Sequence, residues 1–182
     1  MRPAALLDAC VLYPMGLRDT LLSVAQARAF RPLWSAQIIA ETRGAILRSV
    51  VDVDPARIDR MLADMQAAFP GAMVSGYRRL VPDMPNDPRD RHVLAAAVRG
   101  GATVIVTCNV RHFPRPACEP LVVRVQTPDE FLTTLFGEAP EAVLEALESQ
   151  SRRYVAPPIS VEEILRRHAA RLPSFVAAVR SR

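Results

Sequence analysis

Apolar residues along this chain come in two alternating spacings. Ala4 to Leu7 is a short, continuous apolar run closed by Asp8, the pattern of a strand buried on both faces. Leu17, Leu21, Leu22 and Val24 then fall near helical spacing, and an extended piece follows at Arg31 to Trp34. Ser35 is placed to cap a helix whose apolar face carries Ile38, Ile39, Thr42, Ile46 and Leu47, with Glu41 at the margin of that face. Asp54-Pro55 supplies an N-cap and a first-turn proline for a helix through Ile58, Met61, Leu62 and Met65, which stops at Pro70-Gly71. Beyond a loop containing Pro82, Pro85 and Pro88, the spacing predicts a helix from Asp90 through Val98 that ends at Gly100-Gly101. Either Asp87 or Asp90 is expected to cap it. Thr103 to Thr107 and Leu121 to Val125 are too short and too β-branched to be helices, and both read as strands.

Fully apolar strands alternating with helices predict an α/β fold: a central parallel sheet flanked by helices on both faces. In such sheets ligands bind beyond the carboxyl ends of the strands. Asp8 closes the first strand, Asn109 lies just past a later one, and Asp87 and Asp90 open a helix, so these residues are expected to converge on one edge. Carboxylates at strand ends and helix starts are what a hard divalent cation and a phosphodiester substrate require.

Composition narrows the class. Half of the 182 residues are hydrophobic, enough for one good core with an appendage. No apolar stretch approaches the roughly 18 to 20 residues that span a bilayer, and the N-terminal segment lacks a secretory pattern because an acid arrives at position 8. The expectation is a cytoplasmic protein with no membrane partner. Three cysteines, Cys10, Cys108 and Cys118, are odd in number and without zinc-ligand spacing, and are read as reduced thiols.

All 23 basic residues are arginine. That choice is read as coding bias rather than as phosphate recognition. The excess positive charge belongs to the tail, since residues 1–150 carry a net charge of −1 and residues 151–182 carry +5. The tail itself reads as helical. Pro140 to Arg153 places acids near its start and Arg152-Arg153 at its end, matching the helix dipole. Pro157-Pro158 then breaks the chain, and Ser160-Val-Glu-Glu163 has the form of a capping box opening a second helix with Val161, Ile164, Leu165 and His168 on its apolar face. The expected organisation is an α/β domain over 1–136 and a helical extension over 137–182.

The ordered set of motifs resembles PIN-domain proteins, metal-dependent ribonucleases that include the VapC toxins of toxin–antitoxin modules. It consists of Leu7-Asp8, Ser35 through Glu41, Leu80 to Asp90 with Arg-His-Val-Leu-Ala-Ala-Ala before Gly100-Gly101, and Val106-Thr-Cys-Asn109-Val-Arg-His-Phe-Pro114. The resemblance covers residues 4 to 132 and implies a PIN-like fold. It implies Asp8, Glu41 and Asp90 as ligands of Mg²⁺ or Mn²⁺, with Asp87 and Asn109 completing the catalytic set; Arg18 and Arg111 are read as candidates either for contact with substrate phosphate or for salt bridges to neighbouring acids. It also implies single-stranded RNA as substrate, an antitoxin protein as partner and a homodimeric state.

The fourth position departs from the family pattern, because Asn109 and His112 stand where an aspartate is common. Asn109 can still coordinate through its carbonyl oxygen, although it brings no charge. His92 and His112 themselves read as helix-surface and loop histidines. The missing carboxylate keeps a second reading open, a PIN fold that binds RNA or a protein without cutting. A third, an α/β small-molecule binder, is disfavoured because no glycine-rich phosphate loop follows the first strand.

Overall fold

The computed structural model describes residues 2–182. Five short strands, β1 (Ala4–Leu7), β2 (Arg31–Ser35), β3 (Met73–Val74), β4 (Val104–Val106) and β5 (Arg124–Gln126), form one sheet in the order β3-β2-β1-β4-β5. Every pairing is parallel, with Leu6 beside Leu33 on one side and Ile105 on the other. All four residues of β1 are buried, as a strand covered on both faces requires. Successive β2 residues show the two faces. Leu33 meets the helix α5 (Arg91–Gly100), while Trp34 packs edge-on against Phe69 at the end of α4 (Pro55–Ala68).

Crossover helices connect the strands. The one-turn α1 (Ala9–Leu12) and α2 (Met15–Gln26) lie between β1 and β2, α3 (Ala36–Ser49) and α4 between β2 and β3, and α5 between β3 and β4. The expected caps at Ser35 and Asp54 are both made, to Ile38 N at 3.2 Å and Ala56 N at 2.9 Å. α5 ends on Gly101 in the left-handed conformation. Its last residue, Gly100, has no room for a side chain, since a Cβ there would lie 2.8 Å from Val74. That close approach seats α5 on the sheet.

α6 (Arg115–Cys118) precedes β5, and α7 (Pro128–Glu138), α8 (Pro140–Arg153), α9 (Val161–His168) and α10 (Pro173–Arg180) form the C-terminal helical layer. A buried polar network sews α2 to this layer. Thr20 donates to Gln150 and meets His168 Nε2 at 2.8 Å, while Asp19 accepts from Gln150, Arg153 and Tyr154. α10 has no capping side chain of its own. The carboxylate of Asp129 in α7 receives the amides of Ser174 and Phe175 instead, and Phe175 packs edge-on against Phe136.

Two expectations are corrected. The last strand begins at Arg124 rather than Leu121, because Glu119–Leu121 forms a 3-10 turn started by Pro120 and ended by Val122 at φ 57°. The capping box at α9 is half made. Ser160 accepts from Glu163 N, but the Glu163 carboxylate turns outward to Arg166 and Arg167. The pattern also passes over α1, β3 and α10, each too short or too irregular to display a period.

Candidate active site

β1 has β2 on one side and β4 on the other, so the chain leaves β1 in one direction and later returns on the opposite side. The crevice at the carboxyl ends of β1 and β4 is therefore the topological switch point, where open α/β sheets bind ligands. A crossover helix runs antiparallel to its strands, so the N-termini of α3 and α5 open on that same edge. This is how acids distant in sequence come to stand at one edge of the sheet: Asp8 follows β1, Glu41 sits in the second turn of α3, and Asp90 stands at the N-cap of α5.

Asp8 is the most buried of them, 5% exposed. One oxygen caps α1 through Ala9 N at 2.7 Å. The other accepts from the Thr107 hydroxyl at 2.7 Å and from the Cys10 thiol at 3.2 Å. Capping and site membership are thus combined in one carboxylate. Burial raises its pKa above the usual range; the Thr107, Cys10 and Ala9 donors pull against that, and the charge of Asp90 adds to it. Two carboxylates close enough to repel one another are therefore held at the switch point.

Asp90 occupies the N-cap of α5 without capping it. Its Oδ2 lies 2.5 Å from Nδ1 of His112, whose Nε2 accepts from Arg111 Nε at 3.3 Å. With Arg111 on Nε2, Nδ1 is the ring nitrogen that faces Asp90 as donor. Glu41 is partly exposed and meets Nε2 of His92 at 3.1 Å. Burial works to raise the Glu41 carboxyl, but the hydrogen bond and charge of His92, helped by Gln37, outweigh it and its pKa falls. Neither histidine is a bystander, which corrects the sequence reading. His92 is buried rather than on the surface, and both clasp an acid of the site.

The remaining candidates separate. Asp87 donates its backbone amide to His112 O, but its carboxylate turns to the amide and guanidinium of Arg89, which hold its pKa down. Asn109 caps nothing with its side chain; its amide donates to Thr107 Oγ1 at 3.0 Å. Arg111 is exposed beside His112. Arg18 lies apart, buried, with Nη1 on Leu12 O at 2.6 Å and Tyr13 O at 3.3 Å, and burial lowers its pKa. Its guanidinium locks the end of α1.

Thr107 is the residue that sequence reasoning missed. Fully buried at the end of β4, it joins Asp8, Cys10 and the Asn109 amide through one hydroxyl. The signal was the register of β1 against β4, in which Leu7 pairs with Val106, and register is not visible in a single sequence. Cys10 and Cys108 also meet here, with Cys108 N donating to Cys10 Sγ at 3.0 Å. Contact with Cys108, burial and the Asp8 charge push the Cys10 thiol up, keeping it a donor.

Among the described residues, no group of three His, Cys, Asp or Glu side chains is arranged to hold a metal ion. The donor set that does converge, two mutually repelling carboxylates, fits Mg²⁺, which keeps several waters and commonly takes only one or two carboxylates from the protein.

Two family profiles and one named relative match the chain. The profile described as "PIN domain" matches residues 4–111, and one described as "VapC50 C-terminal domain" matches residues 128–181. A relative from Mycobacterium tuberculosis named "Putative ribonuclease VapC50" is 39% identical over 112 residues, covering 60% of this chain and 64% of that protein. The match thus spans less than two thirds of the relative's length. No solved structure matches the chain. With the parallel sheet, the acids at its switch point and a family match running from β1 through Asn109 and Arg111, the chain belongs to the PIN-domain family.

Proposed function

We propose that this chain is a Mg²⁺- or Mn²⁺-dependent endoribonuclease that hydrolyses phosphodiester bonds of single-stranded RNA, and that it acts in the cytoplasm as the toxin of a toxin–antitoxin pair. The observation that carries the reading is the Asp8–Asp90 pair, in which the charge of Asp90 adds to the raised pKa of Asp8 at the switch point and each carboxylate is held by donors of its own. The likeness to a VapC-named ribonuclease supports the activity and the toxin role.

Asp8 and Asp90 would hold the cation. A divalent ion bound there supplies an activated water and neutralises charge on the non-bridging phosphate oxygens. Thr107 and Ala9 N fix the Asp8 carboxylate, and His112 fixes that of Asp90, so neither must reorient as the ion and substrate arrive. Glu41, paired with His92, would be the third residue available to hold the ion or to orient a water. Arg111 keeps guanidinium N–H groups free beside His112 and suits the scissile phosphate. Asp87 with Arg89 lines the outer approach. Asn109 brings no charge, which favours one tightly held ion over two.

An open crevice at a sheet edge suits an unpaired strand better than a duplex. A separate groove of about 390 Å³ between α2 and α4, lined by Met15, Leu22, Met61, Met65 and Phe69, supports a protein partner, either an antitoxin or a second copy in a homodimer.

The test is cleavage of a labelled single-stranded RNA and of the same sequence as a duplex, with Mg²⁺, with Mn²⁺ and with a chelator. Metal-dependent cuts confined to the single strand are expected. RNA binding without cleavage under any metal would instead favour the non-cutting reading.

A further inference from the structure

The thiols of Cys10 and Cys108 lie side by side on the rim of the acidic crevice and have no part in the chemistry above. Cys10 belongs to α1, which follows β1, and Cys108 lies two residues past β4. These segments leave the sheet from Leu7 and Val106, which are paired across adjacent parallel strands. Neighbouring strands lie about 4.8 Å apart, and a disulfide wants Cα atoms roughly 4.4 to 6.8 Å apart. The contacts are consistent with such an approach. Cys108 N donates to Cys10 Sγ at 3.0 Å, and Cys108 Sγ lies 4.0 Å from Cys10 O.

The two sulfurs differ in access and in wiring. Cys108 is exposed and can meet a small oxidant, whereas Cys10 is half-buried and donates to Asp8 Oδ2 at 3.2 Å, with Thr107 Oγ1 at 3.3 Å. Cys118, buried in α6, has no thiol beside it. An exposed sulfur next to a resolving one is the arrangement of reversible thiol oxidation, and here the resolving sulfur is a hydrogen-bond donor to the candidate cation ligand.

We propose that Cys10 and Cys108 form a reversible oxidation site, in which a peroxide joins them as a disulfide and thereby loosens the Asp8 cation site. In the first step Cys108 sulfur attacks one oxygen of hydrogen peroxide. The O–O bond breaks, water leaves, and Cys108 carries a sulfenic acid. In the second step Cys10 sulfur attacks Cys108 sulfur. The S–O bond breaks, the S–S bond forms, and the hydroxyl departs with the Cys10 proton as a second water. Both sulfurs are oxidised and the peroxide is reduced. The cross-link removes the S–H donor from Asp8 and ties α1 to the loop after β4. Loss of a partner that orients a metal ligand typically costs 10- to 100-fold in metal affinity.

The loosening half of this inference rests on the reading of Asp8 as a cation ligand; the cross-link does not. The experiment treats the full chain with hydrogen peroxide and measures free thiols under denaturing conditions, intact mass and peptide mass, then Mn²⁺ binding by calorimetry before and after. Expected for the wild type and for Cys118→Ser is the loss of two thiols and of two hydrogens per chain. Peptide mapping should place the link between Cys10 and Cys108, dithiothreitol should restore both thiols, and the oxidised form should bind Mn²⁺ at least about tenfold more weakly. Cys108→Ser should keep its Cys10 thiol, and Cys10→Ser should accumulate a trappable sulfenic acid on Cys108. A link between two chains, or over-oxidation of Cys108 with Cys10 untouched, overturns the cross-link. An intrachain disulfide whose Mn²⁺ affinity stays within twofold of the reduced protein overturns the switch. A reduced protein that binds no Mn²⁺ removes the cation reading and the loosening with it, while the mass measurement still decides the cross-link.

Discussion

Asp90 stands at the N-cap of α5, yet its carboxylate turns away from the helix amides to Nδ1 of His112, 22 residues later in the chain. A capping interaction typically stabilises a helix by about 1 kcal/mol, so the diverted carboxylate is shaped by the crevice rather than by the helix. His112→Phe should therefore weaken Mn²⁺ binding by about tenfold, the usual size of a lost orienting partner, with little change in melting temperature. Calorimetry decides. Tighter binding in the variant would make His112 an occluding group that the ion must displace.

Asp8→Asn should abolish Mn²⁺ binding and lower RNA cleavage at least about a hundredfold, since several kcal/mol of charge stabilisation are removed. The fold should survive, because the asparagine carbonyl can still cap Ala9 N. The folded-state pKa of Asp8 is raised, so in the metal-free protein its ionised form opposes folding at neutral pH, and that penalty is relieved as pH falls toward the unfolded value. The metal-free variant should accordingly be as stable as the wild type at pH 7 or more so. Cleavage at the wild-type rate would reduce Asp8 to a helix cap.

Arg18→Met separates architecture from substrate contact. It strips Leu12 O and Tyr13 O of their donor, and an unsatisfied buried acceptor costs about 1 to 3 kcal/mol. A fall in the urea midpoint is expected, with the RNA KM of the folded protein unchanged. A raised KM at full stability would return Arg18 to the substrate.

His168 should make the fold sensitive to mild acid. Burial lowers its pKa, Arg171 lowers it further and Asp19 opposes, so the folded state favours the neutral ring that meets Thr20. The unfolded chain takes up the proton first. The stability that His168 contributes is present above the unfolded value of about 6.5 and is lost as pH falls through the folded one. Urea midpoints at pH 7.5 and 5.5 should diverge more for the wild type than for His168→Gln. Equal pH slopes would show that other groups carry the acid response.

Much of the fold was legible because buried strands and amphipathic helices leave periods that survive in one sequence. β1, β2 and β4, the caps at Ser35 and Asp54 and the stop at Gly101 all follow from local rules. The acids Asp8, Glu41 and Asp90 were legible as candidates because strand ends and helix starts in a parallel sheet share one edge. What could not be read was pairing across the chain. That Thr107 serves Asp8, that His92 and His112 each take an acid, and that Arg18 turns inward depend on which surfaces meet. β5 was misplaced for the opposite reason. Leu121 and Val122 look like strand residues, but Pro120 starts a tight turn that tertiary packing completes.

The borrowed cap on α10 bears on how this protein can be handled. An eight-residue helix with no cap of its own takes one from Asp129 in α7, and in return its Phe175 covers Phe136. A shortened version ending before Pro173 would leave Asp129 without its amides and an aromatic face open to solvent, so trimming the basic end for crystallisation or expression would yield a sticky product.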